Sequence, residues 1–271
     1  MNVHPRLSIS ALSSWSWTFE QDLELWRSLD GLHHVGLLAS KLEPCGHERA
    51  VEALRDAGLK VSCLVAGSFD LRSPDTWAAT RTALARCIDT AVALDAPCIY
   101  VTTGRTTHAP WREMLETFAG AIEPTIAYGA ERGVRVALEP SQRIEVSFVH
   151  SLRDALVVAD RTGIGIVADI GNSWMERDVE AALTEIGEHM ALIQVADVQV
   201  GTMEQPGLGG KGVPGDGDLP VERWLGAALA TGYAGQIELE MVGPMVESVG
   251  YESAITRAIE STTAMLDRLV P

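Results

Sequence analysis

Two hydrophobic rhythms alternate along this chain. Short apolar runs rich in Val, Ile and Leu recur at Leu7–Leu12, His34–Leu38, Lys60–Val65, Cys98–Thr102, Val134–Glu139, Ile164–Asp169, Ala191–Val195 and Gln236–Met241. Runs of this kind predict strands buried on both faces. Between them, apolar residues return every three or four positions over Glu20–Leu29, Glu48–Ala57, Asp75–Leu94, Trp111–Arg132, Leu152–Arg161, Val179–Ile186, Val221–Ala230 and Glu252–Leu269, which predicts amphipathic helices. Gly58, Gly133, Gly163 and Gly232 each stand where such a helix gives way to a strand.

Eight strand–helix alternations predict an α/β fold that closes into a single (β/α)8 TIM barrel over residues 1–271. An open doubly wound sheet would carry a glycine-rich phosphate turn after its first strand. Ser13-Ser14-Trp15-Ser16-Trp17 stands there instead, without glycine. Two connections break the rhythm: Gly104–Pro110, and Val200–Pro220 with seven glycines and three prolines. Long irregular connections in compact domains are commonly functional, so the second is expected to border the active site and to order further on substrate binding.

Composition removes several classes. The formal charge is -16, opposite to the basic footprint of a nucleic-acid binder or an anionic-membrane binder. Cys45, Cys63, Cys87 and Cys98 are scattered singly, which is neither a disulfide scaffold nor a zinc-ribbon spacing. The N-terminus does not read as a signal peptide, and no apolar run is long enough to span a bilayer. A reducing cytoplasm is the expected location. The expected partner is a small-molecule substrate, and a homo-oligomer is compatible with the composition.

Candidate chemistry lies at the strand ends, because barrel active sites form at the C-terminal mouth. The fifth strand ends in Leu138-Glu139-Pro140 and the sixth in Ala168-Asp169-Ile170-Gly171-Asn172; the seventh runs through Gln194 to Asp197 and the eighth through Glu238 to Met241. Converging carboxylates repel one another unless a cation or a proton intervenes. An all-oxygen set of two Glu, one Asp and one Gln suits one Mn²⁺ or Mg²⁺ better than zinc. The plainer alternative is a set of strand-end acids paired with Arg or Lys.

These segments, together with Gly212-Val213-Pro214-Gly215-Asp216-Gly217-Asp218 and Gly232-Tyr233-Ala234-Gly235, resemble the xylose isomerase-like TIM barrels. That group includes sugar isomerases, sugar 3-epimerases, hydroxypyruvate isomerase, inosose dehydratase and endonuclease IV. The resemblance spans nearly the whole chain. It implies Glu139, Asp169, Gln194 and Glu240 as metal ligands, and Glu139 and Glu240 also as the catalytic acid–base pair. The implied reaction is isomerisation or epimerisation of a polyhydroxylated carbonyl compound through an enediolate. Two positions depart from the usual pattern, since Gln194 and Asn172 stand where isomerases and epimerases carry histidine. Gln at the first of these occurs among dehydratases acting on inosose and dehydroshikimate, which makes a lyase the alternative. The alanine- and tryptophan-containing segment associated with dehydroshikimate dehydratases is replaced by Pro140-Ser141-Gln142-Arg143. An endonuclease lacks the required histidines here, and four intact ligand positions argue against a non-catalytic subunit.

Around this set, Trp15 and Trp17, with Phe19 beside them, offer a stacking wall over the substrate or packing onto the last helix. Gln142, Arg143, Asn172 and Lys211 are expected to bind substrate. Arg105 and His108 are candidates to meet an anionic group, and His33-His34 reads as structural. Asp197 has the opposite parity to Gln194 and is expected to support the site or hold a loop. Glu238 shares the parity of Glu240 one layer deeper.

Overall fold

The computed structural model describes residues 3–107, 109–204, 207 and 210–270. Eight parallel strands close into a barrel in sequence order, with the first paired to the last. They are β1 (Leu7–Ser10), β2 (His34–Leu38), β3 (Lys60–Val65), β4 (Cys98–Val101), β5 (Arg135–Leu138), β6 (Gly165–Asp169), β7 (Met190–Val195) and β8 (Ile237–Leu239). The predicted single (β/α)8 barrel is the fold of this chain.

Ten α-helices surround the barrel: α1 (Phe19–Ser28), α2 (Ala39–Cys45), α3 (His47–Asp56), α4 (Trp77–Ala93), α5 (Trp111–Ala130), α6 (Leu152–Thr162), α7 (Val179–Glu185), α8 (Val221–Ala230), α9 (Pro244–Val249) and α10 (Tyr251–Leu269), counted among the described residues. Local chemistry explains their ends. Thr18 and Gln21 form a capping box on α1. Ser151 accepts from Asp154 N at the start of α6, and Gly163 ends it at a left-handed φ of 76°. The short helices α2 and α9 were not anticipated from periodicity. The first lacks a side-chain cap and holds Pro44; the second is six residues opened by Pro244.

Apolar side chains between the barrel wall and the helices form the main core, while Cys63, Cys98, Tyr100, Ala137, Val167 and Leu192 fill part of the barrel interior. Strands β1 and β8 are shorter than their apolar runs. The Ser10 side chain accepts from Leu12 N and turns the chain into a 3-10 turn over Ala11–Ser14. Glu240 lies just beyond β8, yet its N–H still bonds Val195 O at 3.2 Å. No helix among the described residues is long and apolar enough to cross a membrane.

Candidate active site

Barrel register sets the depth of each acid. Asp169 ends β6 and pairs with Gln194 on β7, which pairs with Glu238 on β8. Glu139 follows β5 and is held to the ladder through its N–H to Val101 O at 2.9 Å. Glu139, Asp169 and Glu240 are all buried, and each offers a carboxylate oxygen within 4.8 Å of the others. Burial, the neighbouring Glu240 carboxylate and Asp169 push Glu139 well above the usual carboxylate range, against the pull of Lys211.

Gln194 lies beside this cluster with its amide nitrogen turned to acceptors. Nε2 donates to Glu240 Oε2 at 2.6 Å, Tyr100 Oη at 3.0 Å and Glu238 Oε1 at 3.0 Å. Its Oε1 is buried without a hydrogen-bond partner. The expected fourth oxygen ligand is therefore present only as this unpartnered carbonyl, while the nitrogen faces the acid. Tyr100 donates from Oη to Glu240 Oε2 at 2.5 Å. Sequence reasoning missed Tyr100, although its in–out parity on β4 matches the inward Cys98.

Lys211 lines the cavity, as expected of a substrate contact, and also reaches the acids. Its Nζ lies 2.5 Å from Asp169 Oδ2 and 2.5 Å from Glu240 Oε1, so it is the ammonium counter-ion of the cluster. Burial works against its charge, but Asp169, Glu240 and Glu139 outweigh that and hold it above the ordinary lysine range. Asn172 donates Nδ2 to Glu139 Oε1 at 2.7 Å, and its carbonyl accepts from Gln142 Nε2 at 2.7 Å. These two residues thus tie the β6 end to the β5 end.

The cluster borders a cavity of about 420 Å³, lined by the polar Glu139, Asn172, Lys211 and Glu240 and by the apolar Leu12, Trp15, Val65, Ala66, Val146 and Val242. Trp15 is 55% exposed at the mouth. Trp17 is turned away from it and packs edge-on against Tyr251 of α10, with ring centroids 5.4 Å apart. It belongs to the loop–helix packing and not to the cavity wall. Arg143 lines the cavity while its Nε pairs with Glu145 Oε1 at 2.7 Å. Arg105 is exposed and pairs through its backbone with Asp70, and His108 lies outside the described residues. Burial, then Lys60 and His33, push the His34 imidazole down.

The connection from β7 to α8 borders this cavity through Lys211, and Val200, Gly207 and Gly210 line an adjoining one of about 350 Å³. Asp197 anchors the connection. Its Oδ1 accepts from Val198 N at 2.8 Å and Leu219 N at 3.0 Å, and its Oδ2 accepts from Gly215 N at 2.9 Å. Gly217 packs so closely that a Cβ there would overlap the Asp197 carboxylate.

A family model described as xylose isomerase-like TIM barrel matches residues 22–265. The chain belongs to this family. No curated protein sequence matches it. Among solved structures, the IOLI protein with a binding zinc atom superimposes with a TM-score of 0.82 at 17% identity, covering 97% of this chain and 99% of that one. Protein SMc04130 from Sinorhizobium meliloti 1021 gives a TM-score of 0.80 at 19% identity, covering 96% and 98%. An L-ribulose 3-epimerase gives 0.77 at 18% identity, covering 98% and 96%. At these identities the likeness is one of fold. Within the family frame, the donor set of this chain suits a divalent ion: three buried carboxylates share one centre, beside Gln194, whose nitrogen faces Glu240 and whose Oε1 is buried without a partner.

Proposed function

We propose that this chain is a divalent-metal-dependent isomerase or epimerase of a small polyhydroxylated carbonyl compound. The observation that carries the reading is the convergence of Glu139 and Glu240 on one cavity, each buried and each part of a cluster of three carboxylates that could hold a cation. Glu139, Asp169 and Glu240 would hold the ion, with Gln194 Oε1 as a further donor; oxygen ligands favour Mn²⁺ or Mg²⁺. When bound, such an ion supplies polarisation of a substrate carbonyl.

The chain's own residues supply the proton chemistry. Glu139 and Glu240 enter the cavity from β5 and β8, so one can take the proton α to the carbonyl and the other can return one. Return to another face of the same carbon epimerises; return to the neighbouring carbon isomerises. Burial and the neighbouring Glu240 carboxylate raise Glu139 above the usual carboxylate range, the direction an acid–base group requires. Asn172 fixes its Oε1, and Tyr100 fixes Glu240 Oε2. The polar lining suits a hydroxylated head, and the apolar lining with Trp15 suits a less polar remainder. The likeness to an L-ribulose 3-epimerase supports this class.

The test is solvent exchange. The Mn²⁺-loaded protein is incubated in D₂O with a panel of ketoses and ketoglycosides and followed by NMR. Deuterium entering α to the carbonyl, with a new epimer or isomer, is expected. Exchange that persists at the parent rate in both Glu139→Gln and Glu240→Gln would remove these residues from the reaction. Loss of a β-hydroxyl with formation of an enone would reassign the chain to the lyases.

A further inference from the structure

Three converging carboxylates call for a cation, and this chain supplies one of its own. Lys211 Nζ contacts Asp169 Oδ2 and Glu240 Oε1, each at 2.5 Å, and these are two of the three acids of the candidate metal centre. The placement is built into the fold. Lys211 N donates to Val242 O at 2.8 Å and Val242 N donates to Lys211 O at 2.9 Å, while Gly212 and Asp197 exchange two further backbone bonds. The side chain is 11% exposed. Its stem runs past Gly171, where a Cβ would stand 2.9 Å from Lys211 Cδ, so the glycine beside Asp169 leaves room for the lysine.

Lys211 holds Asp169 Oδ2 and Glu240 Oε1, while Asp169 Oδ1 accepts from Asn172 N and Glu240 Oε2 accepts from Tyr100 and Gln194, so a divalent ion binding the two acids competes with the ammonium for their oxygens and is repelled by its charge. We propose that Lys211 is a tethered counter-ion that occupies the metal's place in the metal-free protein, and that a divalent ion binds by displacing its ammonium. This rests on the metal-dependent reading above and deepens it. The backbone clamp confines the movement to the side chain, which also lines the adjoining cavity next to Asn172. The ammonium then offsets part of the triad's negative charge without metal. Metal binds more weakly than to the same carboxylates without the lysine, and binding frees an amine beside the substrate cavity.

The test reads metal affinity and lysine accessibility, not turnover. Mn²⁺ binding to the wild-type chain, Lys211→Met and Lys211→Gln is measured by the electron paramagnetic resonance signal of free Mn²⁺, with circular dichroism confirming folding. Both variants are expected to bind at least ~10-fold more tightly, the step that corresponds to about 1.4 kcal/mol. A second arm needs no variant. The chain has three lysines: Lys60 is exposed, Lys41 is buried in an ion pair with Asp22, and the third is Lys211. N-hydroxysuccinimidyl acetate labelling, read by peptide mass spectrometry, should show Lys211 acetylation rising with MnCl₂ relative to Lys60, and Lys41 unchanged. Equal or weaker Mn²⁺ binding in both variants, or Lys211 labelling that does not respond to Mn²⁺ at saturation, overturns the proposal and leaves the metal reading intact. No Mn²⁺ binding to any of the three proteins overturns both.

Discussion

Gly36 on β2 and Glu238 on β8 meet inside the barrel, and a Cβ at position 36 would overlap Glu238 Oε2. The carboxylate cannot simply move aside, because Ser62 Oγ at 2.9 Å, Cys63 Sγ at 3.1 Å and Gln194 Nε2 at 3.0 Å all hold it. The glycine is therefore required by space in the layer directly beneath the candidate active site. Gly36→Ala is expected to destabilise the protein by about 1–3 kcal/mol, the usual scale for overpacking. In urea unfolding, Gly36→Ala/Glu238→Ala should lose less than the sum of the two single variants. Additive losses would mean that the two residues do not compete for the same space.

Glu238 also makes stability depend on pH. Burial and the nearby Glu240 raise its carboxyl to about 7, against the hydrogen bonds from Gln194, Cys63 and Ser62. The folded value lies above the unfolded one, so the folded state binds the proton more tightly. The contribution is full below about 4.5 and is lost as the pH rises through about 7, on the order of 3 kcal/mol over that window. Glu238→Gln should flatten the fall in unfolding free energy between pH 5 and pH 8 by roughly this amount. A profile parallel to wild type would show that Glu238 does not titrate in this range.

Asp169 accepts from Lys211 and supplies one of the three converging carboxylates. Asp169→Asn keeps an oxygen at the site but removes its charge. Metal affinity should fall by at least the ~10–100-fold that losing a ligand's hydrogen-bond partner costs, and excess Mn²⁺ should restore part of the turnover. Glu139→Gln should lose ~10²–10⁴-fold in turnover and should not be restored by metal, because a lost proton acceptor is not replaced by occupancy. Equal rescue of both variants by Mn²⁺ would argue that Glu139 acts only as a ligand.

Asp197 ties three backbone N–H groups of the β7–α8 connection to one carboxylate. Asp197→Ala should cost about 2–4 kcal/mol, the scale of charge-assisted bonds to buried donors. Hydrogen exchange should rise in the segment 212–220 and remain slow in β6 and β7. Uniform loss of protection across the barrel would indicate global destabilisation instead.

The order of elements and the depth of the site were legible because both depend on local periodicity. Short apolar runs over Val134–Glu139 and Ile164–Asp169 end in an acid, which marks Glu139 and Asp169 as strand-end residues, and parallel strands closing in order bring such ends to one mouth. Strand parity, applied to β4, would have pointed to Tyr100. The strand boundaries at Ser10 and Leu239 were less legible, since the Ser10 side chain turns the chain into a 3-10 turn and the Ser13 hydroxyl, from the far end of the chain, meets Leu239 O and Met241 N.

Other features have no local signal. Trp15 and Trp17 look alike in sequence, yet only packing against Tyr251 of α10 turns Trp17 away from the cavity that Trp15 lines. Lys211 reads as a lysine in a glycine-rich loop; its place among Asp169 and Glu240 follows from the Val242 clamp and the space left by Gly171. The orientation of the Gln194 amide follows from three acceptors, Tyr100, Glu238 and Glu240, which come from two other strands and their ends. The sequence by itself determined the strand–helix alternation that closes into a barrel and the identity of the strand-end acids, because periodicity is local and each strand but the last pairs with the next along the chain. Only the tertiary structure decided which cation those acids face and which aromatic ring reaches the cavity, because those outcomes depend on sterics and charge between residues distant in the chain.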